Sequence, residues 1–111
     1  MKIYIAGPYT ADSEAIRIQN VNRAIDAAIE LLQRGHIPYV PHLTHFVDER
    51  ATKRGITLTW EDYIAWDLEW LKDCDALLYL GDSRGAKIEK DRAATLQKKI
   101  FYSLDSVPPA N

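Results

Sequence analysis

Ala76-Leu77-Leu78-Tyr79-Leu80-Gly81-Asp82-Ser83-Arg84-Gly85-Ala86-Lys87-Ile88-Glu89 is the stretch that decides the fold class. Its apolar run ends at a glycine, which predicts a buried strand over 76–81. Ser83 then supplies a hydroxyl to cap a helix over 83–98, in which Ala86, Ala93 and Leu96 share one face. A buried strand that turns directly into a helix is the repeating unit of a parallel α/β sheet. Glu89 falls on the same face as those apolar residues, an acid on the inward side of its helix.

Working outward, the same alternation recurs. Residues 2–6 form a short β-branched and aromatic run stopped by Gly7-Pro8. Asp12 or Ser13 can cap a helix with apolar residues at Ile18, Val21, Ile25, Ala28, Ile29 and Leu32, and Gly35 can end it in the left-handed conformation. A strand over 36–40 contains Pro38, which points to a sheet edge. Residues 41–58 have no clean period and read as a long loop with a helical turn at most. Thr59 can cap a helix to about Asp73, with Glu61 and Asp62 in its first turn. A last strand is expected over 100–103. The order β-α-β-loop-α-β-α-β implies one domain over 1–111: a three-layer, doubly wound parallel sheet of flavodoxin or Rossmann-like type. Ligands in such sheets bind beyond the carboxyl ends of the strands. Those ends are Gly7-Pro8-Tyr9-Thr10, the segment after Pro41, and Gly81 to Gly85.

Composition narrows the function. With 111 residues, 47% of them hydrophobic and 27% charged, the chain is long enough for one core and too apolar for disorder. A net charge of -2 without a basic stripe argues against nucleic acid as a partner. Cys74 is the only cysteine, so no disulfide framework exists, and no histidine is placed to activate it. The apolar runs are too short for a signal peptide or a membrane span. A soluble cytoplasmic protein is therefore expected. A chain this short also gains from self-association, so a homo-oligomer is expected.

Asp67 repeats the oddity of Glu89. It lies three residues after Ile64 and four before Leu71, inside the stripe formed by Trp60, Ile64, Leu68 and Leu71. A buried carboxyl either pairs with a cation or takes a raised pKa, and a raised pKa suits a general acid near neutrality. Glu89 is read as the opposite case, an ionised carboxylate favoured by the helix dipole. A structural ion pair for Asp67 and a solvated position for Glu89 are the competing readings. His42 and His45 lack a third ligand, so no metal site is expected; His45 or Phe46 suits the wall of a base pocket instead. Tyr63, Trp66 and Trp70 are assigned to core or subunit contacts.

Taken in order, Ile3-Tyr4-Ile5-Ala6-Gly7, Asp67-Leu68-Glu69-Trp70-Leu71, Cys74-Asp75-Ala76-Leu77-Leu78 and Ser83-x-Gly85-x-x-x-Glu89 resemble the nucleoside 2-deoxyribosyltransferase family and its 2'-deoxynucleoside 5'-phosphate N-hydrolase relatives. The resemblance implies that Glu89 attacks C1' of a deoxyribose, that Tyr4 orients Glu89, and that Asp67 serves as acid and base to the leaving and incoming nucleobases. It implies no cofactor, and a deoxynucleoside and nucleobase as the small-molecule partners. It also implies a substrate site drawn from Gly7, Tyr9, Thr10, His45, Asp82, Ser83 and Gly85, with Asp82 or Ser83 at the 5' end of the sugar. Sites in the family borrow groups from a neighbouring subunit, and Ser103, Ser106 and Asn111 are the tail residues available for that role. The chain differs from the pattern at Thr10, where the hydrolases carry arginine, at Lys87, and at Gln97-Lys98-Lys99 after the last helix. Thr10 favours a free 5'-hydroxyl, whereas Ser83 and Arg84 suit a phosphate. A transferase, a monophosphate N-glycosidase and a non-catalytic nucleotide-binding module are the three functions carried forward.

Overall fold

The computed structural model describes residues 1–110 of the chain. Asn111, one of the tail candidates, lies outside the described residues. Four parallel strands, β1 (Lys2–Ala6), β2 (Ile37–Tyr39), β3 (Ala76–Tyr79) and β4 (Lys99–Phe101), form one sheet in the order β2-β1-β3-β4. Pro38 sits in the edge strand β2, where a missing amide donor costs least. The helices are α1 (Glu14–Gln33), α2 (Thr44–Lys53), α3 (Trp60–Lys72) and α4 (Arg84–Thr95).

The pleat of β1 distributes the core. Ile3 and Ile5 point to one face, where Ala24, Ala27, Ala28 and Leu31 of α1 cover them with Ala76, Leu78 and Phe101. Tyr4 and Ala6 point to the other, against Leu71 of α3 and Ala86 and Ala93 of α4. Ile3 to Ala6 are fully buried. The sheet is thus the middle of three layers, and the expected flavodoxin or Rossmann-like class is the observed one. Because β1 leads to a helix on one face and β3 to a helix on the other, the order reverses between them. A crevice opens there beyond their carboxyl ends.

Local chemistry sets the helix limits. Ser13, Thr59 and Ser83 cap α1, α3 and α4 through their hydroxyls, and Thr59 and Asp62 form a reciprocal capping box. The chain leaves α1 through Gly35 at φ +86°, with His36 N–H bonded to Leu31 O at 2.9 Å. Several element ends fall one to three residues short of those expected from sequence. The third strand closes at Tyr79, before Gly81; α4 stops at Thr95, before Lys98; and β4 runs 99–101.

One expectation is overturned. Residues 41–58 are not a long loop: they hold a short 3-10 turn, Pro41–Leu43, and the ten-residue helix α2. This helix buries only His45 and Ala51 and has no side-chain N-cap, so it carries no apolar period to read. Its stop was legible. Gly55 at φ +71° and the bond from Ile56 N–H to Ala51 O repeat the ending of α1. Among the described residues no helix is long and apolar enough to cross a membrane.

Candidate active site

The crevice at the switch point is a cleft of about 380 Å³. The loop after β1 contributes Gly7, Tyr9 and Thr10; the segment after β2 contributes Pro41, His42, Thr44 and Asp48. Trp60, Tyr63, Ile64 and Asp67 come from α3, and Ser83 to Ala86 with Glu89 from the start of α4. Three of the four layers of sequence that meet here are the segments expected at the strand ends, and α3 is the fourth.

Glu89 and Asp67 are brought together. Glu89 is 5% exposed and accepts a hydrogen bond at Oε2 from the hydroxyl of Tyr4, which rises from the centre of the sheet. Asp67 is 6% exposed, and Oδ1 receives the Tyr39 hydroxyl at 3.4 Å. Neither acid has a cationic partner among the described residues. Both pKa values rise for that reason. Burial lifts Asp67 to about 7 against the pull of the Tyr39 bond. Burial lifts Glu89 to about 8; the Tyr4 bond opposes the rise and the charge of Asp67 adds to it. The expectation of an ionised Glu89 in the free protein is therefore corrected. Glu89 is the sixth residue of α4, beyond the reach of the helix-end dipole, and desolvation dominates. The reading of Asp67 as a buried acid without a salt bridge agrees with the structure.

An aromatic stack stands behind the acids. Tyr4 packs on Tyr39 with centroids 5.4 Å apart, and Tyr39 packs on Trp70 at 5.8 Å. The stack fixes the two phenols that address the two carboxyls. Tyr39 is not legible as a site residue, because a tyrosine in an edge strand carries no signal of its own.

The remaining candidates divide. Gly7, Tyr9, Thr10, Ser83 and Gly85 line the cleft with the acids. His45 does not: it is buried behind Tyr9, with Nδ1 2.8 Å from the Tyr9 hydroxyl and Nε2 2.6 Å from Oε1 of Glu49. Although Nε2 is off the hydrogen-bond line, two bare lone pairs would repel at that distance, which assigns its proton to the Glu49 side. His45 holds Tyr9 in place; it is no pocket wall. Asp82 also falls outside the cleft, exposed and taking the Tyr79 hydroxyl at 2.5 Å, which lowers its pKa. It orders the turn before α4.

Tyr63, expected at a core or subunit contact, instead faces the cleft and donates to Oδ1 of Asp48 at 2.7 Å. His42, Thr44, Asp48 and Trp60 also line the cleft; Thr44 and Asp48 belong to α2, whose lack of an apolar period hides them in the sequence. Arg84 lies over the ring of Trp60, 4.2 Å from its centroid. Trp66 and Trp70 are 41% and 52% exposed, so they are surface rather than core. No cluster of three or more histidine, cysteine or acidic residues suited to a metal occurs among the described residues.

A paired, poorly solvated set of carboxyls, one bonded to a buried phenol, in a cleft with helix-start amides on one side, can support nucleophilic and acid–base chemistry on a small polar molecule. A comparison with curated proteins finds no match. The family model described as a domain of unknown function (DUF7768) matches residues 1–103, nearly the whole chain, and the chain belongs to that family.

Proposed function

We propose that this protein is a nucleoside 2'-deoxyribosyltransferase that cleaves the N-glycosidic bond of a deoxynucleoside through a covalent deoxyribosyl–Glu89 intermediate. The supporting observation is the triad itself: Tyr4 bonded to Glu89, with Asp67 holding its own proton near neutrality in the same cleft. The family description names no activity, so the proposal rests on this geometry and on the resemblance of the ordered motifs.

In the first half-reaction an oxygen of Glu89 forms a bond to C1' as the C1'–N bond breaks. The electron pair leaves with the base, and Asp67 delivers the proton that neutralises it. In the second half, Asp67 takes a proton from an incoming base, whose nitrogen attacks C1' and releases Glu89. Tyr4 donates to the carboxylate form of Glu89 and so favours the state that attacks. The amides and hydroxyl at Ser83 to Gly85 face the sugar's 5' end.

A second reading, hydrolysis of a deoxynucleoside 5'-monophosphate with water as acceptor, is favoured by one observation: Arg84 borders the cleft at the start of α4, where a phosphate would lie. Self-association belongs to the proposal, and exposed Ile37, Trp66 and Trp70 beside the tyrosine stack offer apolar surface for it.

Incubation with deoxyadenosine, with and without free cytosine, and separately with deoxyadenosine monophosphate tests both readings. Formation of deoxycytidine only with cytosine present is the result expected of the transferase. Base release from the monophosphate without an acceptor would replace it by the hydrolase. No turnover of either substrate would leave a binding module.

A further inference from the structure

One wall of the cleft spends its protons on the protein. Nε2 of His42 lies 3.1 Å from the carbonyl of Gly7, which can only accept, so Nε2 carries the hydrogen. Burial holds this ring below its ordinary pKa, hence neutral, and its Nδ1 is buried out of reach of the cleft, so His42 offers a ligand no donor. The Thr44 hydroxyl donates to Pro41 O at 2.8 Å and the Tyr63 hydroxyl to Asp48 at 2.7 Å. With its proton directed to His45 Nδ1, Tyr9 likewise presents lone pairs. The opposite wall has the reverse polarity. Ser83 accepts from the Ala86 amide and keeps its own proton free, and Arg84 adds a guanidinium.

Four acceptors on one wall, at Tyr9, Thr44, Asp48 and Tyr63, suit a ligand edge rich in N–H, and they repel a carbonyl oxygen placed there.

We propose that the wall formed by Tyr9, Thr44, Asp48 and Tyr63 reads the amino-bearing edge of a nucleobase, so that the protein takes adenine- and cytosine-type bases in preference to hypoxanthine- and uracil-type ones. The inference deepens the glycosidic reading and rests on it for the identity of the heterocycle; the polarity of the wall stands apart from the reaction.

Calorimetric titration of the full chain with adenine, hypoxanthine, cytosine and uracil tests it. Adenine and cytosine are expected to bind at least about tenfold tighter than their oxo counterparts, because the wrong edge leaves acceptors unpaired. In Asp48→Asn the gap is expected to shrink, since the new amide donates to a carbonyl; in Tyr63→Phe, which removes one acceptor and keeps the ring, it is expected to narrow as well. Equal or reversed affinities in the unaltered protein, or binding of none of the four bases, would overturn the proposal. So would a gap unchanged in both variants. Turnover of deoxyadenosine measured on the same sample reports separately on the glycosidic reading: amine preference without turnover removes that reading and keeps this one.

Discussion

The hydroxyl of Tyr4, in the central strand β1, donates to Oε2 of Glu89 on α4, joining positions 85 residues apart in the chain. This bond ties the most buried part of the sheet to the group proposed to attack. Tyr4→Phe keeps the ring and its stack on Tyr39 but removes the donor that favours the carboxylate. Activity at pH 7 is expected to fall roughly tenfold or more, with the acid limb of the pH profile moving upward. Thermal unfolding should change by only about 1 kcal/mol. An unmoved limb would separate Tyr4 from the ionisation of Glu89.

The pH dependence follows from two raised acids. Turnover needs Glu89 ionised and Asp67 protonated, so the pair must carry one proton in total. Asp67 at about 7 and Glu89 at about 8 give a bell for kcat/KM with limbs near those values. The limbs belong to the pair and not to either residue alone. Asp67→Asn removes the alkaline limb, leaves a single acid limb set by Glu89 alone, and reduces turnover about 10²–10⁴-fold. Initial rates over pH 5–10 check both statements.

Stability should run against activity. Glu89 has a folded pKa of about 8 against an ordinary 4.5, so the folded state holds the proton more tightly. Its contribution is fully present below the ordinary value and is lost as pH rises through about 8. Glu89→Gln, neutral throughout, is expected to be inactive. Relative to the unaltered protein it should gain on the order of 4 kcal/mol at pH 9 compared with pH 4. Denaturant titrations at the two pH values measure this; an equal difference at both would contradict the burial of an ionisable Glu89.

Sequence legibility followed the strength of the local signal. Strand β3, the caps Ser13, Thr59 and Ser83, and the edge position of Pro38 were readable because each rests on one short-range requirement. Asp67 and Glu89 stood out as acids on apolar faces. Helix α2 did not, because its fixings are polar and long-range: Tyr9 to His45 and Tyr63 to Asp48. The wall it builds was lost with it. The ionisation of Glu89 is not legible, because position in a helix can be read from sequence whereas depth of burial is a tertiary property.

The end of α4 offers a test outside the site. Gln97 adopts φ +59°, while Lys98 N–H bonds to Ala93 O at 2.9 Å, the ending that Gly35 and Gly55 give to α1 and α2. A side chain in this conformation costs about 1 kcal/mol. Gln97→Gly is expected to raise stability by about that amount and to leave turnover unchanged, as read from denaturant midpoints and initial rates.

The central claim is a covalent sugar on Glu89. Acid-quenched protein, mixed with deoxyadenosine and analysed by intact and peptide mass spectrometry, addresses it directly. The account predicts a deoxyribosyl adduct on the peptide containing Glu89, absent in Glu89→Gln and discharged when a free base is added before the quench. Base exchange that persists in Glu89→Gln, or an adduct confined to another residue, would contradict it.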